Sequence, residues 1–413
     1  MHPEGAQEMT NAIRVALNDL FKSVAKQVKA KVEDILEITL VANPIMHHLL
    51  LGINPVELGG APFALTTDTA VEMPARELDL QINHGGRIYI LPCIAGHVGA
   101  DTAGVILSEE PQQQKAMTLL VDVGTNAEIV LGDKNRLLAC SSPTGPAFEG
   151  AQISAGQRAA AGAIERVRID PDTLVARFKV IGSDLWSDEP GFIEETSKFG
   201  VTGICGSGII EVVAEMYLSG IVTVDGIIDG ELASRSPLVV ADGRTWSYVL
   251  YQSDLTENQA PILVTQNDIR QIQLAKAALY AGVKLLMDKL DIDHVDRIRL
   301  AGAFGSHINV QHAMVLGLIP DCALNQVSSA GNAAGTGARI ALLNNQSRNT
   351  IEDLVTNIEK IETAMEPKFQ QYFVDAMAFP NKTDPFPNLF STIDKPPEKL
   401  ITESPGGRKR RRR

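Results

Sequence analysis

The run TLLVDVGTNAEIVLG, residues 118–132, reads as an apolar strand through Leu119, Leu120 and Val121, a polar turn carrying Asp122, Gly124, Thr125 and Asn126, and a second apolar strand through Ile129, Val130 and Leu131. That is a β-hairpin with chemistry at its bend. Gly124 lets backbone N–H groups approach an anion, because no Cβ stands in the way. Asp122 is a candidate ligand for a hydrated divalent cation, the usual companion of a polyphosphate. A plain tight hairpin could carry the same letters, so the reading depends on what accompanies it.

Several glycine-rich breaks accompany it. Gly96 and Gly99 follow a strand over Arg87–Leu91, and Asp101 is the expected N-cap of a helix over Thr102–Ser108. Either a ligand contact or close packing of glycines would explain that pattern. Gly203, Gly206, Ser207 and Gly208 lead into an apolar helix, Ile209–Leu218, whose first-turn N–H groups suit an anion. Gly302, Ala303, Phe304 and Gly305 end a strand over Arg297–Ala301 and would let a flat heterocycle lie against the backbone. Gly331, Asn332 and Gly335 belong to a run that opens a helix at Ala338. After a third meander strand, Arg136–Ser141, the segment SPTGPAFEGAQISAG cannot be regular, and Glu149 is its one acid. Glu149 could orient water or a cation, or bond only to local N–H groups.

The rest of the chain is ordinary globular material: 413 residues, 45% apolar and 21% charged. No apolar run reaches the ~20 residues of a membrane span, and the start MHPEGAQEMT has no signal-peptide pattern, so the expected location is cytoplasmic. Four dispersed cysteines form no CxxC pair. The net charge is -13, and the six positive charges of residues 408–413 leave the remainder at -19, which argues against nucleic acid as the main ligand. That basic end reads as a solvated appendage that could also touch RNA, an anionic membrane surface or an acidic partner.

Apolar spacing predicts a helix over Glu8–Val32 with Ile13, Leu17, Leu20, Phe21, Val24 and Val28 on one stripe, a strand over Ile35–Ala42 and a short helix over Met46–Leu51. His47 and His48 point about 100° apart on that helix, so packing or capping suits them better than a shared metal. Val167–Ile181 predicts a hairpin around Asp170, Pro171 and Asp172. Thr265 with Asp268 forms a capping box before a long helix, Gln266–Leu290. Further helices are expected over Asn349–Met365 and Pro367–Ala378.

Taken in order, DVGTN, GICGSG, AGAFG and GNAAGTG resemble the ASKHA superfamily of actin, Hsp70 and the acetate and sugar kinases. More narrowly, MHHLLLGINP, PCIAGHVGAD, ACSSPTGPAFEGAQI and LAGAFGSHIN resemble the ATP-dependent reductive activators of corrinoid proteins, over roughly Glu8 to Pro380. The resemblance implies an α/β, ribonuclease-H-like ASKHA fold that binds ATP and Mg2+. It also implies an activity that returns cob(II)alamin to cob(I)alamin on the corrinoid protein of a methyltransferase system. By position, Asp122, Gly124, Thr125 and Asn126 correspond to a phosphate loop and Gly302 to Gly305 to the adenosine motif. Gly331 to Gly337 and Gly96 to Asp101 correspond to the two connecting segments.

Relatives of this kind begin with a [2Fe-2S] domain, a linker and a middle domain, for which this sequence shows no cysteine ligands or counterpart. The expected division is therefore 1–115 as a truncated remnant of a first ASKHA lobe, 116–345 as the complete lobe, 346–380 as closing helices and 381–413 as a disordered basic tail. A separate ferredoxin-like electron donor and homodimerisation are further implications of the resemblance. A small-molecule kinase with Glu149 or Asp101 as base, and a non-catalytic interaction module, are the alternative readings.

Overall fold

The computed structural model describes residues 4–252, 260–305 and 307–397, and for Ala303 and Phe304 the backbone alone. The arginine-rich end lies outside the described residues. The first unit contains α1 (Gly5–Gln27), β1 (Glu37–Leu40), α2 (Pro44–Leu50), β2 (Val71–Pro74), β3 (Arg87–Ile90) and α3 (Ala100–Glu109). Its sheet runs β1-β3-β2, with β1 parallel and β2 antiparallel to β3. The α1 stripe is only partly the core face. Phe21 is buried, whereas Leu20, Val24 and Val28 are exposed and Thr10, Asn18 and Ala25 are buried instead. Asn18 and Thr10 are held inside by hydrogen bonds to the backbone of Asp79, Gln81 and Leu49, which apolar periodicity cannot register. In α2, Asn43 caps the amide of Met46 at 2.9 Å. Buried His48 lies 2.9 Å from the Pro44 carbonyl through Nδ1 and accepts from the Thr66 amide through Nε2, a packing role.

The second unit starts with β4 (Thr118–Val123), β5 (Ala127–Gly132) and β6 (Leu137–Ser142). An insertion follows: β7 (Ala163–Ile169), β8 (Ala176–Val180), α4 (Phe192–Thr196), β9 (Gly203–Ile204), α5 (Gly206–Leu218), β10 (Val239–Asp242), β11 (Thr245–Tyr251) and β12 (Ile262–Thr265). Then come α6 (Gln266–Leu290), β13 (Arg297–Ala301), α7 (Gly302–Gly305), α8 (Val310–Leu316), β14 (Val327–Gly331), α9 (Ala333–Leu343), α10 (Asn345–Asn357), β15 (Glu359–Lys360), α11 (Phe369–Asp375) and α12 (Pro387–Phe390). The large sheet has the order β14-β13-β4-β5-β6-β15. An antiparallel meander, β4 to β6, is extended past β4 by two parallel strands reached through helical crossovers, which is the order of a ribonuclease-H-like lobe. The capping box of Thr265 and Asp268 forms at the start of α6, and Ile269, Ile272, Leu279, Val283 and Leu286 are buried beneath the sheet.

Tertiary packing moves three expected boundaries. Helix α9 begins at Ala333, because Asn332 caps the amide of Gly335 at 2.9 Å, so Gly335 and Gly337 lie inside the helix while Gly331 ends β14. The helix expected to reach Met365 stops at Asn357, and Glu359–Lys360 pair with β6 instead. Residues 381–397, expected in a disordered tail, pack against the body: Phe386 and Leu389 are buried, Asp384 pairs with Lys284 at 2.9 Å, and Asp321 holds the amides of Asn388 and Leu389. Lys276, buried on α6, donates to the carbonyls of Ala378 and Pro380 and so fastens the start of that segment.

The units meet where α3 packs on α9 with almost no side chain between them. A Cβ on Gly337 would lie 2.0 Å from the Gly104 carbonyl oxygen, and one on Gly104 would lie 2.9 Å from that of Ala334. Replacing Gly337 with valine must push the helices apart. It should destabilise the chain by about 1–3 kcal/mol in denaturant unfolding, whereas an unchanged midpoint would show that the contact is slack.

Candidate functional site

Because β4, β13 and β14 run parallel, their carboxyl ends lie side by side, with Ala301 paired to both Asp122 and Gly331. This is the edge at which open α/β sheets collect ligands. At that edge Gly302 adopts φ +85°, and a Cβ there would lie 2.3 Å from Asp122 Oδ1. Glycine is therefore demanded twice, by the left-handed backbone and by the carboxylate beside it. Next to it, Asn332 starts α9.

The β4–β5 turn is braced from behind. Thr144 Oγ1 donates to the carbonyls of Gly124 and Thr125, each at 3.0 Å, and the Gly145 amide donates to Thr125 O at 2.9 Å. The Thr125 hydroxyl donates to Glu149 Oε1 at 2.6 Å. Thr125 and Asn126 themselves are exposed at the tip. Glu149 therefore positions the turn through Thr125.

Three carboxylates come together here, with Asp101 acting on Asp122 and both of them on Glu128. Asp122 and Glu128 sit directly opposite across β4 and β5, and Asp101 reaches them from the first turn of α3. Burial, and then the charge of Asp101, push Asp122 up to about 6. Burial, then Asp101 and Asp122, push Glu128 up to about 8. Asp101 is raised as well, chiefly by burial and against the hydrogen bond its carboxylate accepts from the Thr102 amide. Among the described residues, no lysine or arginine is among the charges acting on Asp122 or Glu128.

Asp101 is not the N-cap: Gly99 holds that position, and Asp101 is the second residue of α3. Gly96 and Gly99 serve close packing, since a Cβ would lie 2.0 Å from Phe63 O and 2.6 Å from Ala42 O respectively. Gly206, Ser207 and Gly208 form the first turn of α5, where a Gly208 Cβ would lie 2.2 Å from Ile164 O. Gly208 thus serves close packing on β7, while the Ser207 hydroxyl lies 3.3 Å from Cys205 Sγ. Gly305 is buried against Leu300, while the side chains of Ala303 and Phe304 lie outside the described residues. Glu128 escaped the sequence reading, although the hairpin register that pairs it with Asp122 follows from a three-residue turn between Val123 and Ala127.

Among the described residues, no group of three or more His, Cys, Asp or Glu side chains is gathered into a ready-made metal cage, and no helix is long and apolar enough to cross a membrane. All four cysteines are free and buried, and burial pushes Cys93 up to about 12 and Cys322 up to about 11. A cavity of about 1270 Å³ lies elsewhere, between residues 217–235 and the segment 380–397, and none of the three acids lines it.

A ribonuclease-H-like sheet with glycine breaks and acids at its carboxyl edge places the chain in the ASKHA class. Residues 116–390 match the C-terminal ASKHA domain of RACo, and residues 1–114 match the RACo middle region. The chain belongs to the RACo family. It is 33% identical over 383 residues to the corrinoid activation enzyme RamQ of Eubacterium limosum, covering 91% of this chain and 61% of that protein. It is 26% identical over 284 residues to the [Co(II) methylated amine-specific corrinoid protein] reductase of Methanosarcina barkeri, covering 66% of this chain and 47% of that protein. A solved reductive activator for corrinoid,iron-sulfur protein superposes with a TM-score of 0.78 at 31% identity, covering 92% of this chain and 58% of that one. The chain thus spans about three fifths of the length of the first of these relatives and of the solved structure. The first unit, expected as a remnant of an ASKHA lobe with no middle domain present, is corrected by the match of residues 1–114 to the middle region.

The acid trio sets a pH dependence with a definite sign. Asp122 and Glu128 bind protons more tightly folded than unfolded, so in metal-free buffer their contribution to stability falls as pH rises from about 4 to about 8. Glu128→Gln removes one of these charges. Its unfolding free energy should exceed the parent's by on the order of 1–3 kcal/mol above about pH 8 and match it near pH 4. Equal stability at both ends would show that Glu128 is solvated.

Proposed function

We propose that this chain is the nucleotide-binding part of a reductive activator, which uses ATP with Mg2+ to help return the cob(II)alamin of a corrinoid protein to cob(I)alamin. The observation that carries the reading is the gathering of Asp122, Gly302 and Asn332 at one sheet edge, with Asp101 beside them, in a chain of the RACo family. Similarity to RamQ, the methylated-amine corrinoid reductase and the reductive activator supports the corrinoid partner.

The residues present fit a magnesium nucleotide. Mg2+ keeps most of its waters and takes one or two carboxylates together with phosphate oxygens, so a closed protein cage is not needed. Asp122 would hold the hydrated cation, with Asp101 and Glu128 accepting from its waters. The turn Gly124, Thr125 and Asn126 would offer N–H groups to phosphate, and Gly302 would let the adenosine side approach the backbone. Bound nucleotide supplies free energy from binding and hydrolysis. Asp101 belongs to α3 and Asn332 to the start of α9, so both helices of the glycine-packed pair begin at the site. A change there shifts one helix against the other without side chains to absorb it. Electrons come from outside these residues, from a ferredoxin-like [2Fe-2S] donor that is either a separate protein or another part of a longer polypeptide. Homodimerisation belongs to the same reading.

Calorimetric titration with ATP and Mg2+ tests the site. Asp122→Asn should abolish the magnesium dependence, and Gly302→Val should abolish binding. Apparent Mg2+ affinity should rise by up to about tenfold per pH unit between about pH 6 and 8, as protons are displaced. Glu128→Gln should flatten that slope towards the part owed to ATP itself. No heat from a folded sample would remove the reading. Spectroscopy of a cob(II) corrinoid protein with chemical reductant and ATP, with and without the chain, tests the activity. Nucleotide binding without any faster appearance of cob(I) would leave an ASKHA nucleotide-binding protein of another function.

A further inference from the structure

We infer that the outer face of the β7–β8 ribbon is a docking surface for a carboxylate-bearing segment of another protein. The register pairs Arg166 with Lys179 and Arg168 with Arg177, so four cations share one face of two strands. Val167 and Phe178, on the other face, are buried in the core. Like charges directly opposite each other weaken a strand pair, and this ribbon carries two such pairs in succession.

Compensation within the chain is partial. Glu211, fully buried on α5, accepts from Arg166 at 2.9 Å and Arg168 at 2.6 Å, and its Oε2 also takes the Val167 amide. Glu215 takes the Ile169 amide and sits 2.8 Å from His312. These two glutamates close the open edge of β7; Glu211 is shared between Arg166 and Arg168, and Glu215 lies 3.9 Å from Arg168, so their charges are spent on the β7 half of the ladder. Arg177 and Lys179 have no carboxylate within ion-pair distance among the described residues. They lie over the ring of Trp186, at 4.8 Å and 5.4 Å, with Arg168 at 6.0 Å. A tryptophan beneath several cations, partly open to solvent, is the composition of an interface anchor. In a chain of net charge -13 such a patch is a local reversal of the field and would steer an acidic surface to it.

Two features narrow the partner. The Phe178 carbonyl accepts from the Ser187 amide at 2.8 Å and the Phe178 amide donates to the Ser187 hydroxyl at 3.0 Å, so the centre of the β8 edge is closed and a strand cannot add there. Recognition is by side chains. The loop bearing Trp186 also carries Asp184, Asp188 and Glu189. A uniformly charged phosphate backbone running past the patch would meet them, whereas a folded protein can set carboxylates over the cations and neutral groups over the acids.

The test uses the full chain, a glutamate-rich synthetic peptide and a water-soluble carbodiimide that joins carboxylates to lysines, with adducts mapped by mass spectrometry. Lys179 should be labelled well above exposed Lys134, and labelling should fall about tenfold in Arg177→Glu and in about 0.5 M salt. Arg177→Gln should fall between, and circular dichroism should show both variants folded. Labelling of Lys179 no greater than that of Lys134, or unchanged in both Arg177 variants, would overturn the proposal. So would an oligonucleotide that displaces the peptide at lower charge concentration than free peptide does.

Discussion

Like-charge crowding of Asp101, Asp122 and Glu128 is the constraint around which the sheet edge is arranged. Each carboxyl is raised by burial, no basic side chain among the described residues acts on Asp122 or Glu128, and the hairpin register forces those two to face each other. A fold holds acids together in this way at a cost, and buried carboxyls raised by a specific charged neighbour are candidates for a functional site. The divalent cation proposed for the site would reverse that cost. The parallel register of β4, β13 and β14 then lines up the other components, and the glycine at 302 leaves the space that a side chain would take from Asp122.

The site is shared between the two regions that the family comparison separates. Asp101 belongs to the middle region and the remaining residues to the ASKHA domain, and the two are joined by backbone contact at Gly104 and Gly337. A second tie lies farther along the same boundary: Arg348 of α10 pairs with Glu37 at 2.7 Å and stacks on Tyr89, whose hydroxyl donates to Glu352. Backbone contact near the candidate site and polar contact away from it tie the two regions together along this boundary.

Features that depend on neighbouring residues are legible in the sequence. The 118–132 hairpin, the meander, the Thr265 capping box and the whole length of α6 follow from local periodicity and end signals. Features that depend on distant residues are not. Glu128 gains its character only from the strand opposite and from α3. Gly208 reads as part of an anion site in one dimension, and in three its missing side chain is what lets α5 approach Ile164. The stripe on α1 misleads because polar Thr10 and Asn18 are drawn inward by backbone partners some forty to sixty residues away. The end of α10 is set by pairing with β6, and the packing of residues 381–397 by Lys284, Asp321 and the α6 face. Without the first-unit fold in view, residues 1–115 look like a truncated ASKHA lobe, although residues 1–114 match the family's middle region.

The most direct measurement is a crystal structure of the chain grown with Mg2+ and ADP. The account predicts the metal beside Asp122, phosphate oxygens at the Gly124 to Asn126 turn and the base near Gly302. Nucleotide bound instead in the cavity between residues 217–235 and 380–397, with the acid trio left free of metal, would contradict it.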